Sequence, residues 1–185
     1  LADEGYVVAA TARDEDGLAS LAREATGRSG RVVPFLCDVT EEKAMERTVA
    51  AIETELGPIT LAIFNAGSYS PTFGERLETL NFVSTFRVNL FGVVHGLVPV
   101  ADRMRDRGFG QIAIVGSVTA YFGLPTAAAY GGSKAALNNI AQSLRYDLDK
   151  LNIRLQIVNP GFVDTPLTAR NRFPMPALLS VADAS

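Results

Sequence analysis

Short, uninterrupted apolar runs alternate with stretches of helical periodicity from one end of the 185-residue chain to the other. Residues 6–10 (YVVAA), 31–36 (RVVPFL), 59–64 (ITLAIF), 111–115 (QIAIV) and 153–158 (IRLQIV) have the length and β-branched content of strands. The runs are continuous rather than alternating, as expected when helices cover both faces of a parallel sheet. The segments between them predict helices over 17–26, 41–55, 80–107 and 127–151. Gly57-Pro58 stops the second of these and Gly108 closes the third. Pro34 puts the second strand toward a sheet edge, where a missing N–H breaks no ladder. This strand–helix repetition predicts an α/β fold with a doubly wound parallel sheet, Rossmann-like, in three α/β/α layers. There is no linker, internal repeat or low-complexity tract, so residues 1–185 read as one domain.

Composition adds exclusions. A 48% hydrophobic content is ample for a core. The net charge of −3 comes from interspersed acidic and basic residues, which predicts neither a nucleic-acid nor an anionic-membrane partner. No apolar run reaches the roughly 20 residues of a membrane span. The longest candidate, 93–101, is interrupted by Gly96 and Pro99. The single cysteine, Cys37, excludes an intrachain disulfide, fits a reducing cytoplasm and reads as a small buried hydrophobe. One His and one Cys argue against a zinc site, and His95, in mid-helix, reads as packed or solvated rather than catalytic.

Ligands of open α/β sheets bind beyond the carboxyl ends of the strands. Each distinctive polar or glycine-containing element falls there: Arg13 after the first strand, Asp38-Val39 after the second, Asn65-Ala66-Gly67 after the third. Ser117 follows the fourth and Pro160-Gly161 the fifth. Tyr130 and Lys134, four apart at the start of the last long helix, share one face and reach the same crevice. A phenol titrates near ~10, and a neighbouring cation lowers that value, as acid–base chemistry on an alcohol or carbonyl requires. Taken singly, each signal is weak. Ser117 could be a loop hydroxyl, Asn65-Ala66-Gly67 a turn, and Asn89 a cap or kink in its helix.

The ordered series Asp38-Val39, Asn65-Ala66-Gly67, Asn89, Ser117, Tyr130–Lys134, Pro160-Gly161 and Thr165 resembles the classical short-chain dehydrogenase/reductase family over essentially the whole chain. That resemblance implies hydride transfer between a nicotinamide cofactor and an alcohol or a ketone or aldehyde; the mostly apolar walls at 69–73, 121–125 and 162–176 point to one of moderately hydrophobic character. It makes Tyr130 the proton donor or acceptor and Ser117 the group that fixes the substrate oxygen. It makes Lys134 the residue that lowers the tyrosine pKa and holds the nicotinamide ribose, and Asn89 the anchor of a connecting water. Arg13, Asp38, Val39, Asn65, Ala66, Gly67, Tyr130, Lys134, Pro160, Gly161, Val163 and Thr165 would contact the cofactor. Arg13 directly follows Ala12, where NAD-binding relatives often place an acid, which favours NADP(H) and leaves NAD(H) open. Asp14-Glu15-Asp16 reads as the cap and acidic first turn of the next helix. Substrate walls are expected at 69–73, 121–125 and 162–176. Relatives often pair their two long helices, which implies a homodimer or homotetramer.

Against the family pattern, the chain lacks the first strand, the glycine-rich turn, and the final helix and strand. Leu1-Ala2-Asp3-Glu4-Gly5 reads as a closing helical turn capped by Gly5, and 176–185 as a helix capped by Ser180. In the order 3-2-1-4-5-6 the missing strand lies between those at 6–10 and 59–64. The expectation is therefore a portion of a longer protein, unstable and inactive in isolation. Two alternatives stay open: a non-catalytic nucleotide-binding or scaffold protein of this fold, and a sugar-nucleotide epimerase or dehydratase of the related extended family.

Overall fold

The computed structural model describes residues 1–165, 168–170 and 175–184. All five strands form, as β1 (Val7–Ala12), β2 (Arg31–Leu36), β3 (Leu61–Phe64), β4 (Gly110–Val115) and β5 (Ile153–Val158). They are parallel but fall into two sheets, β1–β2 and β3–β4–β5. β1 pairs with β2 from Val7↔Arg31 to Ala12↔Leu36, and β4 with β5 from Gly110↔Ile153 to Val115↔Val158. The break between β1 and β3 is the predicted position of the absent strand. Pro34 sits in β2, paired on one side only, as its missing N–H demands.

The helices are α1 (Glu15–Glu24), α2 (Glu42–Leu56), α3 (Thr79–Phe86), α4 (Gly92–Arg107), α5 (Ala128–Lys150) and α6 (Val181–Ala184). Gly5 closes a short turn with a left-handed φ of 89°, and Ser180 Oγ accepts the Asp183 N–H (3.1 Å) at the start of α6. The predicted long helix over 80–107 is corrected in its interior. A π-helical turn, Arg87–Phe91, joins α3 to α4. Gly96 and Pro99 do not interrupt α4. Gly96 is there for contact, because a Cβ would come within 2.6 Å of the Phe64 ring. The span Thr79–Arg107 is long and apolar enough to cross a membrane by composition. Its α4 face instead packs on the sheet through Val93, Leu97, Val100 and Met104. The core continues through Ile112, Ile114, Leu137, Ala141, Ile153 and Leu155. It lies on the three-stranded sheet, and this sheet carries the residues of greatest chemical interest.

Candidate active site

Gly116 and Ser117 turn directly out of β4. Gly116 N donates to Val158 O (2.8 Å), which ties the turn to the end of β5. Ser117 N donates to Asn159 Oδ1 (2.8 Å), and a Cβ on Gly116 would fall 2.0 Å from that oxygen. Only glycine leaves room for the amide. Asn159 Nδ2 donates to Asn138 Oδ1 on α5 (3.1 Å) and to Tyr121 Oη (2.8 Å), while Val118 N donates to Pro160 O (3.1 Å). Asn159 thus fixes the Ser117 turn, a role sequence reasoning misses; its one signal is its place before Pro160-Gly161.

Tyr130 and Lys134 occupy the first two turns of α5 on one face, with Lys134 Nζ 5.8 Å from the phenol ring centroid. Lys134 is 3% exposed and donates to Val115 O (2.8 Å). Asn89, fully buried in the π turn, explains its own presence in a helix. Its Nδ2 donates to Ser68 O and to Ser133 Oγ (both 3.0 Å), and its Oδ1 accepts the Ser68 N–H (2.7 Å). A π turn offsets the helix by one residue, and such turns are frequent at functional sites. Here it lets one amide staple the loop carrying Asn65, Ala66 and Gly67 to the helix carrying Tyr130 and Lys134. That loop passes directly over the ammonium: a Cβ on Gly67 would lie 3.7 Å from both Asn89 Oδ1 and Lys134 Nζ.

The electrostatics depart from the expectation that Lys134 lowers the Tyr130 pKa. Burial pushes the phenol above its ordinary value, and the Ser117 hydroxyl beside it pulls the other way more weakly. Burial also pushes Lys134 down to about 8. Removing a charge-bearing group from water favours its neutral form, phenol or amine, and among the described residues no carboxylate offsets that here. Both groups are left protonated at neutral pH.

The nucleotide end is built differently. Arg13 follows β1 and Asp38 follows β2, with Arg13 Nη1 3.5 Å from Asp38 Oδ2 and the arginine side chain 70% exposed. The Thr40 N–H (2.9 Å to Asp38 Oδ1) and, secondarily, Arg13 hold the Asp38 carboxyl below its ordinary value. Asp14 stands at the start of α1 without the expected side-chain cap bond. Val39 is held from α4: a Cβ on Gly92 would come within 2.7 Å of Val39 Cγ2, and His95 Nδ1 hydrogen-bonds Val39 O (2.9 Å). His95 is therefore packed, as expected, against a candidate cofactor residue. Cys37 is buried 3.5 Å from Met45 Sδ.

At the end of β5, Gly161 enters the crevice and Val163 bridges Leu179. Thr165 Oγ1 meets Thr168 Oγ1 at 3.2 Å. A cavity of about 70 Å³ brings Ser117 and Tyr130 together under an apolar wall of Tyr69, Leu124, Pro125 and Phe162. Parts of the expected wall at 166–167 and 171–174 lie outside the described residues. Arg13 and Asp38 are not drawn into this cavity; they sit on the other sheet. The residues present fit a nicotinamide nucleotide. Among the described residues Lys134 has one acceptor for its three N–H donors, so two remain for ribose hydroxyls, and the exposed Arg13 fork, ion-paired to Asp38 through Nη1, has further N–H donors to meet phosphate. No cluster among the described residues could hold a metal ion.

Sheet, helices and polar rim define an α/β protein of the dinucleotide-binding kind. Residues 1–174 match the family described as short chain dehydrogenase, and the chain belongs to that family. It is 35% identical to an "Uncharacterized oxidoreductase" of Myxococcus xanthus over the whole of this chain and 73% of that protein. It is 32% identical to the 3-oxoacyl-[acyl-carrier-protein] reductase MabA of Mycobacterium bovis over 71% of this chain. There it spans about half of the relative's length, 53%. Among solved structures, NAD+-bound xylitol dehydrogenase superposes with a TM-score of 0.84 at 28% identity, covering 89% of this chain and 64% of that one. A gluconate 5-dehydrogenase from Burkholderia cenocepacia, in complex with NADP and tartrate, gives 0.86 at 26% identity, covering 93% and 69%.

Proposed function

We propose that this chain carries the proton-transfer centre of an NADP(H)-dependent oxidoreductase that interconverts a moderately hydrophobic ketone or aldehyde and its alcohol. The observation that carries the reading is the shared cavity of Ser117 and Tyr130, with the buried Lys134 ammonium behind the phenol ring. Ser117 Oγ donates to the substrate oxygen and sets its position. As the carbonyl π bond breaks and negative charge grows on oxygen, Tyr130 Oη gives up its proton and a new O–H bond forms; oxidation of the alcohol runs the same step backward. Bound at this rim, the nicotinamide supplies or accepts the hydride. The raised Tyr130 pKa suits the donating direction at neutral pH. Lys134 steadies the developing phenolate only while it is charged, below about 8. Carbonyl reduction therefore declines as pH rises through that value. The apolar wall supports a hydrophobic substituent beside the carbonyl, and the exposed Arg13 supports the 2′-phosphate of NADP(H).

Exposed Leu80 and Val83 on α3, Phe91 in the π turn and Val98 on α4, with Tyr146 on α5, support self-association through these helices. The decisive measurement of function is turnover of a carbonyl panel with NADPH and NADH by the intact protein and its Tyr130→Phe variant. The variant should lose about 100- to 10,000-fold in rate while still binding nucleotide. Equal turnover by both proteins, or none by the parent with any carbonyl, defeats the reading.

A further inference from the structure

Tyr69 lies in the loop after β3, four residues beyond Asn65, and is half-buried beside the catalytic phenol. Its ring meets the Tyr130 ring edge-on, with centroids 5.6 Å apart and planes at 81°. Edge-to-face pairs prefer a fixed mutual orientation, so each ring restrains the other. The Tyr69 hydroxyl shares a hydrogen bond with Thr126 Oγ1 (2.9 Å). Thr126 has a φ of 60°. A β-branched residue in the left-handed region is strained and persists only where its surroundings over-determine it.

Those surroundings come from the same loop. Thr72 N donates to Thr126 O (2.7 Å), and Asn81 Nδ2, from α3, braces Thr72 Oγ1 (3.2 Å) and Pro71 O (3.1 Å). Thr126 stands two residues before the start of α5, and Tyr130 is the third residue of that helix. The loop after β3 thus grips both the phenol ring and the backbone that delivers it.

We propose that Tyr69 is a positioning residue for Tyr130: its ring sets the plane and seclusion of the phenol, and its hydroxyl latches the strained Thr126 turn that launches α5. The proposal rests on the oxidoreductase reading for the word "catalytic", but its geometry does not need turnover to be tested. Replacing the ring by a smaller aliphatic group opens Tyr130 to water, while removing the hydroxyl alone leaves the ring contact intact. Because burial is what raises the phenol, loss of the ring moves its titration toward the ordinary tyrosine value.

The test compares Tyr69→Phe and Tyr69→Leu in the intact protein by ultraviolet phenolate titration. Each is paired with the same background carrying Tyr130→Phe, so that the difference isolates the Tyr130 signal. The Leu variant should titrate at lower pH than the parent, with Phe close to the parent. Among active preparations, kcat should fall several-fold in Leu, with its high-pH limb displaced, and KM should change less. Identical Tyr130 titrations in parent, Phe and Leu variants, all folded by circular dichroism, overturn the proposal even if Tyr130→Phe abolishes turnover. A protein without turnover whose Tyr130 titration still moves in Leu alone retains the positioning role and rejects the oxidoreductase reading instead.

Discussion

Ile112 and Ile114 of β4 are wholly shielded from solvent, whereas no residue of β1 or β2 is buried to the same degree. Tyr6 and Val7 at the start of the first sheet, and Leu36 at its end, are each close to half exposed or more. The three-stranded sheet has α4 and α5 against it; the two-stranded one has α1, whose single buried residue is Leu18. The residues proposed for proton transfer stand on the first kind of support and those proposed for the nucleotide phosphate on the second. The division follows packing: among the described residues β1 has a strand neighbour on one side only, whereas β4 is flanked by β3 and β5. The dry setting around β4 is what pushes Lys134 down to about 8.

Four measurements bear on the difference between the two sheets. Amide exchange should protect β4 at least about a thousandfold more than β1, since local opening free energy follows burial. Equal protection in both strands removes the distinction. Truncation gives the next effect: Ile112→Ala should cost about 3–4 kcal/mol in denaturant unfolding, against about 1 kcal/mol for Val8→Ala in half-buried β1.

Lys134→Met tests whether the well-packed half carries a functional burden. Lys134 falls from 10.5 to about 8 on folding, so the unfolded chain binds the extra proton between those values. Stability therefore rises with pH across that window, and below about 8 the buried charge opposes folding by up to about 3 kcal/mol. The Met variant should be more stable at pH 7, level with the parent above pH 10.5, and inactive. A stability gain that does not vary with pH would show that packing, not charge, is responsible.

Arg13→Ala gives the smallest effect, confined to the other sheet. Loss of a charge-assisted phosphate contact, about 1.5–3 kcal/mol, should raise KM for NADPH about 10- to 100-fold. NADH kinetics and thermal unfolding should stay as they were. A uniform change for both nucleotides removes Arg13 from phosphate recognition.

Much of this was legible in the residues themselves. The strands appear as apolar runs, whose faces α4 and α5 cover on the three-stranded sheet, and Pro34 marks an edge because it lacks an N–H. Ser117, Tyr130 and Lys134 stand out by their spacing, and the structure brings Ser117 and Tyr130 to one cavity with Lys134 behind the phenol ring. The misses share a cause: they depend on which distant segments touch. Asn159 and Tyr69 act through partners 42 and 57 residues away, at Ser117 and Thr126, and neither type nor spacing marks them. The π turn at Asn89 is hidden because helical periodicity tolerates one extra residue. The direction of the Tyr130 shift was also beyond reach, since seclusion from water is a property of the packed cavity.

The helix running from the π turn has a consequence for how such a protein can change over generations. Asn89 touches the loop and helix of the proposed proton-transfer centre, and Gly92 and His95, one and two turns further on, grip Val39 at the proposed nucleotide end. One rigid rod thus has a hand on each site. A substitution that shifts or rotates it to suit a different nucleotide also displaces the Asn89 staple. On the proposed function, drift in nucleotide preference is therefore epistatic with the proposed acid–base centre, and adaptation at either end selects for compensating change at the other.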